Sequence, residues 1–454
     1  MPSPTETWMS LLGQGGELTE DFWATHAQRM REARLVFGDR LSCPFLRPLF
    51  MDEEGEARQR VACEVIARLG ERMIGEALDD PALLAAFGLS DAERALVEID
   101  PGYGYASTAS RLDSFLLPDS LMFAEYNAES PAGLGYTEVL ADVFADLPIM
   151  TRFRERFVAE PYGLMDAMLD ALIQSYRDWG GTARPPRIVI TDFRDVPTWN
   201  EFEILAGHFT ARGVPTVIAD PRELEVVGGR LVAHGEPIDL VYRRALVNDI
   251  VARPDDTRVL VAAYRDGLAC MANTLRCKIP HKKSFFAVLT DERHVARLTT
   301  EEQAVVRAHV PWTRVVAERR TRASSGEDID LVAFARTNRE RLVLKPTDDF
   351  GGHGVTLGWE TDAAAWDAAL EVALDGAPAG AWIVQERIPV RREPFPMVES
   401  DPHRVTNREM LVDCAPYIFR GKVSGFLTRL SASGLANVTS GGGQVPAFRV
   451  AARP

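Results

Sequence analysis

Lys345 stands among the residues best suited to chemistry. It ends an apolar run, Leu342-Val343-Leu344, and is followed by Asp348, Asp349 and the stretch Gly351-Gly352-His353-Gly354. A fixed cation, nearby carboxylates and a glycine loop with open backbone amides suit a nucleoside triphosphate with its metal. In a P-loop the lysine follows the glycines and a helix comes next. Here the lysine comes first, and Val355 to Trp359 reads as a second strand. No G-x-G-x-x-G opens a helix either, so the Rossmann fingerprint does not apply. The same residues also suit a plain β-hairpin with a glycine-rich turn.

Other segments carry matching chemistry. Glu125 and Asn127 lie two residues apart on an apolar stretch, which places both side chains on one strand face. A carboxylate and an amide oxygen at that spacing suit a hard, oxygen-liganded Mg²⁺. Lys283 precedes an apolar run ending at Leu289, and a second glycine loop occupies Gly441-Gly442-Gly443. An imidazole inside a glycine loop, as at His353, suits backbone or phosphate contact better than proton transfer. No Ser-His-Asp or Cys-His set suggests a protein nucleophile.

The elements that must position these groups follow from patterning. Residues 17–98 read as mainly helical, with Val61, Val65, Ile66, Leu69 and Ile74 approximating one apolar face. Strands are expected near 111–116 and 120–127, and helix from about 135 to 180. Capping of the helix beginning after Pro131 is one role open to Glu129. A strand at Arg187–Thr191, a helix at Asn200–Arg212 and a strand at Val214–Ile218 imply a parallel α/β lobe reaching about residue 280. Beyond it come Trp382–Ile388 and an expected antiparallel meander through 410–412, 417–419 and 425–429. The expected regions are 1–100 (mainly helical), 101–180 (first part of the core with Glu-x-Asn), 181–280 (parallel lobe) and 281–454 (nucleotide-binding region).

Composition narrows the classes. The 454 residues are 46% hydrophobic and 26% charged, typical of a globular protein. A net charge of -15 disfavours nucleic-acid and anionic-membrane partners. No apolar stretch approaches the ~20 residues that span a bilayer. The N-terminus lacks signal-peptide features, and five scattered cysteines without a Cys/His cluster suit reduced thiols in the cytoplasm.

Taken in order, the motifs resemble the circularly permuted (type 2) ATP-grasp family, which includes eukaryotic-type glutathione synthetases and bacterial permuted ATP-grasp ligase-like proteins. The residues carrying the resemblance are Arg111-Leu112-Asp113, Glu125 to Gly133, Lys283, Leu344 to Gly354, Gln385-Glu386, Leu427-Thr428-Arg429 and Asn437 to Gly443, spanning roughly 105–445. It implies an α/β (α+β) fold: a permuted ATP-grasp core with a helical N-terminal region and an inserted parallel α/β substrate-binding lobe. Lys283 and Lys345 would contact ATP phosphates under Gly351, Gly352 and Gly354, with Gly441, Gly442 and Gly443 as a further loop. Glu125, Asn127 and Asp349 would hold Mg²⁺. Gln385 and Glu386 would face adenine and Glu409 the ribose. Arg111, Ser130 and Arg429 would sit near the acceptor carboxylate or the transferred phosphoryl group, with Arg429 and Lys345 catalytic. Asn200, Glu201, Arg243 and Arg244 are further substrate candidates.

Two departures separate the chain from glutathione synthetases. Asp349 is shorter than the glutamate at the corresponding position, and Leu430-Ser431 replaces a lysine two residues after Arg429. The resemblance implies an ATP-dependent carboxylate–amine ligase acting through an acyl phosphate. A small-molecule kinase and a non-catalytic nucleotide-binding partner are the alternatives. The expected partners are a small carboxylate and an amine. The oligomeric state is open, a homodimer being one arrangement.

Overall fold

The computed structural model describes residues 2–37, 40–117, 120–349, 353–376, 380–400, 403–432 and 442–453. Its organising element is the strand His403–Phe419, 17 residues long. One edge pairs with Lys422–Ser431. Along the other edge, Arg392–Ser400 pairs with the first half and Ala109–Leu116 with the second. Leu121–Asn127 and Gly443–Val445 complete the large antiparallel sheet at either side. The expected meander is therefore tighter than its sequence suggested, because residues 410–412 and 417–419 lie on one strand. Pro416, which has no N–H to donate, sits where pairing with Ala109–Leu116 is interrupted between Asp413 and Tyr417.

A second, smaller antiparallel sheet has the order Thr313–Val315, Trp382–Glu386, Leu342–Pro346, Thr356–Leu357. Period-two alternation decides its two faces. Leu342 and Leu344 pack with Trp366 and Leu370 of the helix Ala363–Leu374, while Val343 and Lys345 look the other way. Leu342–Pro346 and Thr356–Leu357 pair as an antiparallel hairpin, as the sequence implied.

The parallel lobe is present. Cys270–Ala272, Leu240–Arg243, Ile188–Thr191 and Thr216–Ala219 form one parallel sheet in that order. The helix Trp199–Ala211 makes its first crossover, and a three-stranded meander between Leu224 and Pro237 is set into it.

The N-terminal region is helical but not wholly so. The 27-residue helix Glu53–Asp79 starts where Asp52 accepts a hydrogen bond from the Gly55 N–H and three glutamates meet the positive end of the dipole. Ahead of it, Leu49–Met51 pairs with Ala447–Ala452, which pairs in turn with Phe157–Pro161. One apolar core accordingly runs from Trp8 to Val450, holding the large sheet between the N-terminal helices and the helices Leu134–Ala145 and Leu164–Asp178. Among the described residues no helix is long and apolar enough to cross a membrane.

Candidate functional site

The two antiparallel sheets face each other across a cavity of about 440 Å³. Leu121–Asn127 brings Glu125, and Leu342–Pro346 brings Lys345 from the opposite wall. Lys283 enters from the turn before the helix Ser284–Thr290, and Asp349 from the end of the small-sheet hairpin. Phe115, Val343, Leu357 and Ile388 give the same cavity an apolar lining, with Gln385 and Glu386 beside them. Charged and apolar side chains in one cleft match a ligand with a charged tail and a flat apolar head.

Lys345 is held in place by its neighbours. Its Nζ donates to Gln385 Oε1 at 2.7 Å, and Gln385 Nε2 donates to Thr313 Oγ1 at 3.0 Å. Burial pulls the ammonium down to about 8; Glu125 opposes that fall and Lys283 adds to it. Glu125 meets Lys283 Nζ at 3.2 Å and accepts from Asn127 Nδ2 at 3.1 Å. Burial pushes its carboxyl up, but Lys283 foremost, helped by Lys345, leaves it below the ordinary range. Lys283 also donates to the Asp349 carbonyl at 2.6 Å, fixing the foot of the loop. Gly354 adopts φ +68, and a Cβ there would lie 2.7 Å from Pro346 Cγ. Only glycine lets the chain turn back so closely over the lysine strand.

Arg429 borders the cavity with two carboxylates on it. Its Nε donates to Asp413 Oδ2 at 2.5 Å and its Nη2 to Asp113 Oδ2 at 2.6 Å. Asp113 also takes Arg111 Nε at 2.7 Å. Its burial is outweighed by Arg111 and Arg429, which hold it far below the usual carboxylate range. The charge of Arg429 is thus shared between two carboxylates.

The arginines assigned to substrate converge on one backbone segment. Arg111 donates to the Ala132 carbonyl at 2.6 Å, Arg244 to the Pro131 carbonyl at 2.8 Å, and Arg243 pairs with Glu129 at 3.1 Å. Glu129 is therefore a buried ion-pair partner that does not cap the helix after Pro131; its carboxylate accepts instead from the Val247 N–H at the start of the helix Val247–Ala252. The helix Leu134–Ala145 starts instead at Gly133 in a left-handed conformation, without a side-chain cap. Ser130 is carried in the gripped segment, and its hydroxyl has no hydrogen-bond partner among the described residues.

Other assigned residues lie elsewhere. Asn200 is exposed at the start of its helix, whereas the adjacent Glu201 is buried against Arg244. Glu409 is exposed on the outer half of its strand and does not border the cavity. Glu386 borders the cavity, with its carboxylate accepting from Ser324 Oγ at 2.5 Å. Gly442 accepts from Arg40 at 3.0 Å. Gly443 lies so close to residues 42–45 that a Cβ would meet Pro44 Cδ at 2.8 Å. Gly351, Gly352 and Gly441 lie outside the described residues.

Four residues near the site went unassigned from sequence. Asp413 borders the cavity, and only its spacing along a strand not yet recognised as continuous would have shown it. Lys278, Lys282 and Asp348 form a buried cluster behind the lysine strand. Both ammonium groups lie 2.6 Å from the Asp348 carboxylate, and Lys282 also lies 2.9 Å from Glu93.

No family profile matches the chain, and no curated protein matches it. Among solved structures, a glutathione synthetase like-effector from Globodera pallida, in its apo form, superposes over 99% of this chain and 98% of its own, with 13% identity and a TM-score of 0.59. That likeness shows a shared mixed α/β fold. A protein from Methylobacillus flagellatus described as a gamma-glutamylcysteine synthetase matches over 81% of this chain and 82% of its own, at 12% identity and TM-score 0.41. A D-cycloserine synthetase matches over 44% and 59%, at 17% identity and TM-score 0.28. Both overlap too loosely to bear on chemistry.

Proposed function

We propose that this protein is an ATP- and Mg²⁺-dependent carboxylate–amine ligase on a circularly permuted ATP-grasp fold. The observation that carries the reading is the pair of ammonium groups, Lys283 and Lys345, facing Glu125 and Asp349 in one cleft between two antiparallel sheets. Two cations suit a triphosphate, and the apolar lining of the same cleft suits a base.

The donor set also suits Mg²⁺. Among the described residues no group of three or more His, Cys, Asp or Glu could hold a metal by protein ligands alone. Magnesium keeps several waters and is usually held by one or two carboxylates together with substrate phosphates. Glu125 and Asp349, which border the cavity, suit that need, with Asn127 beside Glu125. When bound, the ion would neutralise charge on the phosphates.

The chain's own residues would do the rest. Lys283 and Lys345 would bind and orient the triphosphate, Gln385 keeping Lys345 aimed. Ser130, on the segment gripped by Arg111, Arg243 and Arg244, would receive the substrate carboxylate. The γ-phosphoryl group would pass to that carboxylate, and an amine would displace phosphate from the acyl phosphate, leaving an amide. Excluding water protects such an intermediate from hydrolysis, and Gly354 folding onto Pro346 supports closure on that side.

Incubation with ATP, Mg²⁺ and a pool of amino acids, polyamines and small peptides, followed by mass spectrometry, tests the reading. The expected result is ADP, phosphate and a condensed amide that needs both a carboxylate and an amine. A stable phosphorylated compound would make it a kinase. ATP binding with no turnover across the pool would leave a nucleotide-binding protein.

A further inference from the structure

Asp413 borders the cavity, and the ligase reading so far gives it no work. It is 1% exposed, between Phe115 on one neighbouring strand and Arg429 on the other. Arg429 holds its Oδ2, while its Oδ1 has no hydrogen-bond partner among the described residues. Leaving a buried carboxylate oxygen unpaired is costly, and such groups call for a functional account. The charges run in a chain: Arg111, Asp113, Arg429, Asp413. Asp113 sits between two guanidinium groups and is held firmly ionised. Asp413 sits at the end, sharing one guanidinium and facing the negative charge of Asp113. Two carboxyl groups whose surroundings push them apart in this way mark an acid–base assignment.

We propose that the acceptor in the ligation is a primary amine that enters as its ammonium, and that Asp413 Oδ1 takes the proton that turns it into a nucleophile. The inference rests on the ligase reading. The ammonium gives one proton to Asp413, and the freed lone pair forms the C–N bond at the acyl phosphate carbon. The C–O bond to phosphate breaks, and phosphate leaves with that electron pair. A second proton passes from the nitrogen to the departing phosphate, which leaves as the hydrogen phosphate dianion. Asp413, now neutral, returns its proton to solvent when the site opens.

The proton affinity of the group agrees with this role. Burial pushes the Asp413 carboxyl up to about 6, with Arg429 opposing and Asp113 adding to the rise. Arg111 opposes it more weakly from beyond Asp113. It is ionised at neutral pH yet holds a proton readily, which is what efficient proton transfer asks for.

Hydroxylamine separates this claim from the ligase reading, because it is largely uncharged at neutral pH and traps acyl phosphates as hydroxamates without a base. Wild type and Asp413→Asn are incubated with ATP, Mg²⁺ and a pool of amino acids and small peptides, with either hydroxylamine or methylammonium as nucleophile. Methylamide formation by the variant is expected to fall about 100-fold while hydroxamate formation is kept. Equal losses with both nucleophiles, or no loss with either, overturn the assignment. Should Asp413→Asn fail to bind ATP in a thermal-shift assay, Asp413→Glu decides. Its carboxylate is expected to support methylamide formation, and failure there while hydroxamate still forms overturns the assignment. Absence of hydroxamate from wild type removes the ligase reading and this inference together.

Discussion

Replacing Asp348 by alanine removes one anion that two buried ammonium groups share. The Lys278 side chain is 0% exposed and that of Lys282 4%. After the replacement Lys282 keeps Glu93 at 2.9 Å. Lys278 keeps Asn248 Oδ1 at 2.7 Å, with Glu129 and Glu93 only at 3.5 and 3.6 Å. Breaking a buried ion pair costs about 3–5 kcal/mol, because the surviving charge is left uncompensated. The remaining carboxylates place this case at about 3 kcal/mol, the lower end. Adding Lys278→Met removes the stranded charge, so the double variant is expected to be less destabilised than the single one. Burial pushes the Asp348 carboxyl up, but Lys278 and Lys282 draw it far below its ordinary value. Its stabilisation is therefore complete above the unfolded value near pH ~4 and fades as pH falls toward the lower folded value. The gap between variant and wild type should stay constant near neutrality and close only in acid. Chemical denaturation followed by tryptophan fluorescence and circular dichroism measures it. A single variant within about 0.5 kcal/mol of wild type, or a double variant costing the sum of its parts, would refute the argument.

Three further outcomes are expected. Glu125→Ala should abolish Mg²⁺-dependent turnover with circular dichroism unchanged, and wild-type kinetics in that variant would rule out its metal role. Lys345, which loses its proton above about 8, should bind a non-hydrolysable Mg-ATP analogue more weakly as pH rises. Treating only the charged form as competent gives a loss of about tenfold between pH ~7 and ~9; titration calorimetry reads it, and Lys345→Arg should be flat over that range. Gly443→Ala, which drives a methyl to within 2.8 Å of Pro44 Cδ and 2.9 Å of Ser42 O, should cost about 1–3 kcal/mol. A thermal melt reads that loss, and an unchanged melting temperature would show that the N-terminal segment gives way freely.

What the sequence disclosed and what it hid divide along contact range. The lysine hairpin and the parallel lobe were legible because their signals are local: alternation along Leu342–Pro346, and alternating strand and helix patterns between 187 and 219. Glu125 and Asn127 were legible as a pair because two residues on a strand share a face. Asp413 was not, since its meaning depends on Asp113, some 300 positions away, and on a guanidinium that both carboxylates share. Gly443 looked like a phosphate loop, yet the partner that demands glycine lies in residues 42–45. Adjacent positions could also exchange roles unseen. Glu201 turns inward while Asn200 faces solvent, and helix-start patterning does not say which residue meets the lobe.

The pairing of Ala109–Leu116 with His403–Phe419 has a consequence for how the molecule comes into being. Arg111 lies opposite Tyr417, and Leu49–Met51 lies beside Ala447–Ala452. On a ribosome, the strand bearing Glu125 therefore waits for some 300 further residues before its sheet can close. In that interval Leu112, Phe123 and Tyr126, on the paired strands Ala109–Leu116 and Leu121–Asn127, lack the rest of their sheet. The parallel lobe and the small sheet, whose pairings span shorter stretches of chain, have less to wait for. Nascent chains stalled before residue 403 should accordingly draw chaperones to the 109–127 region, and the cavity can acquire its Asp413–Arg429 wall only once those late strands have emerged.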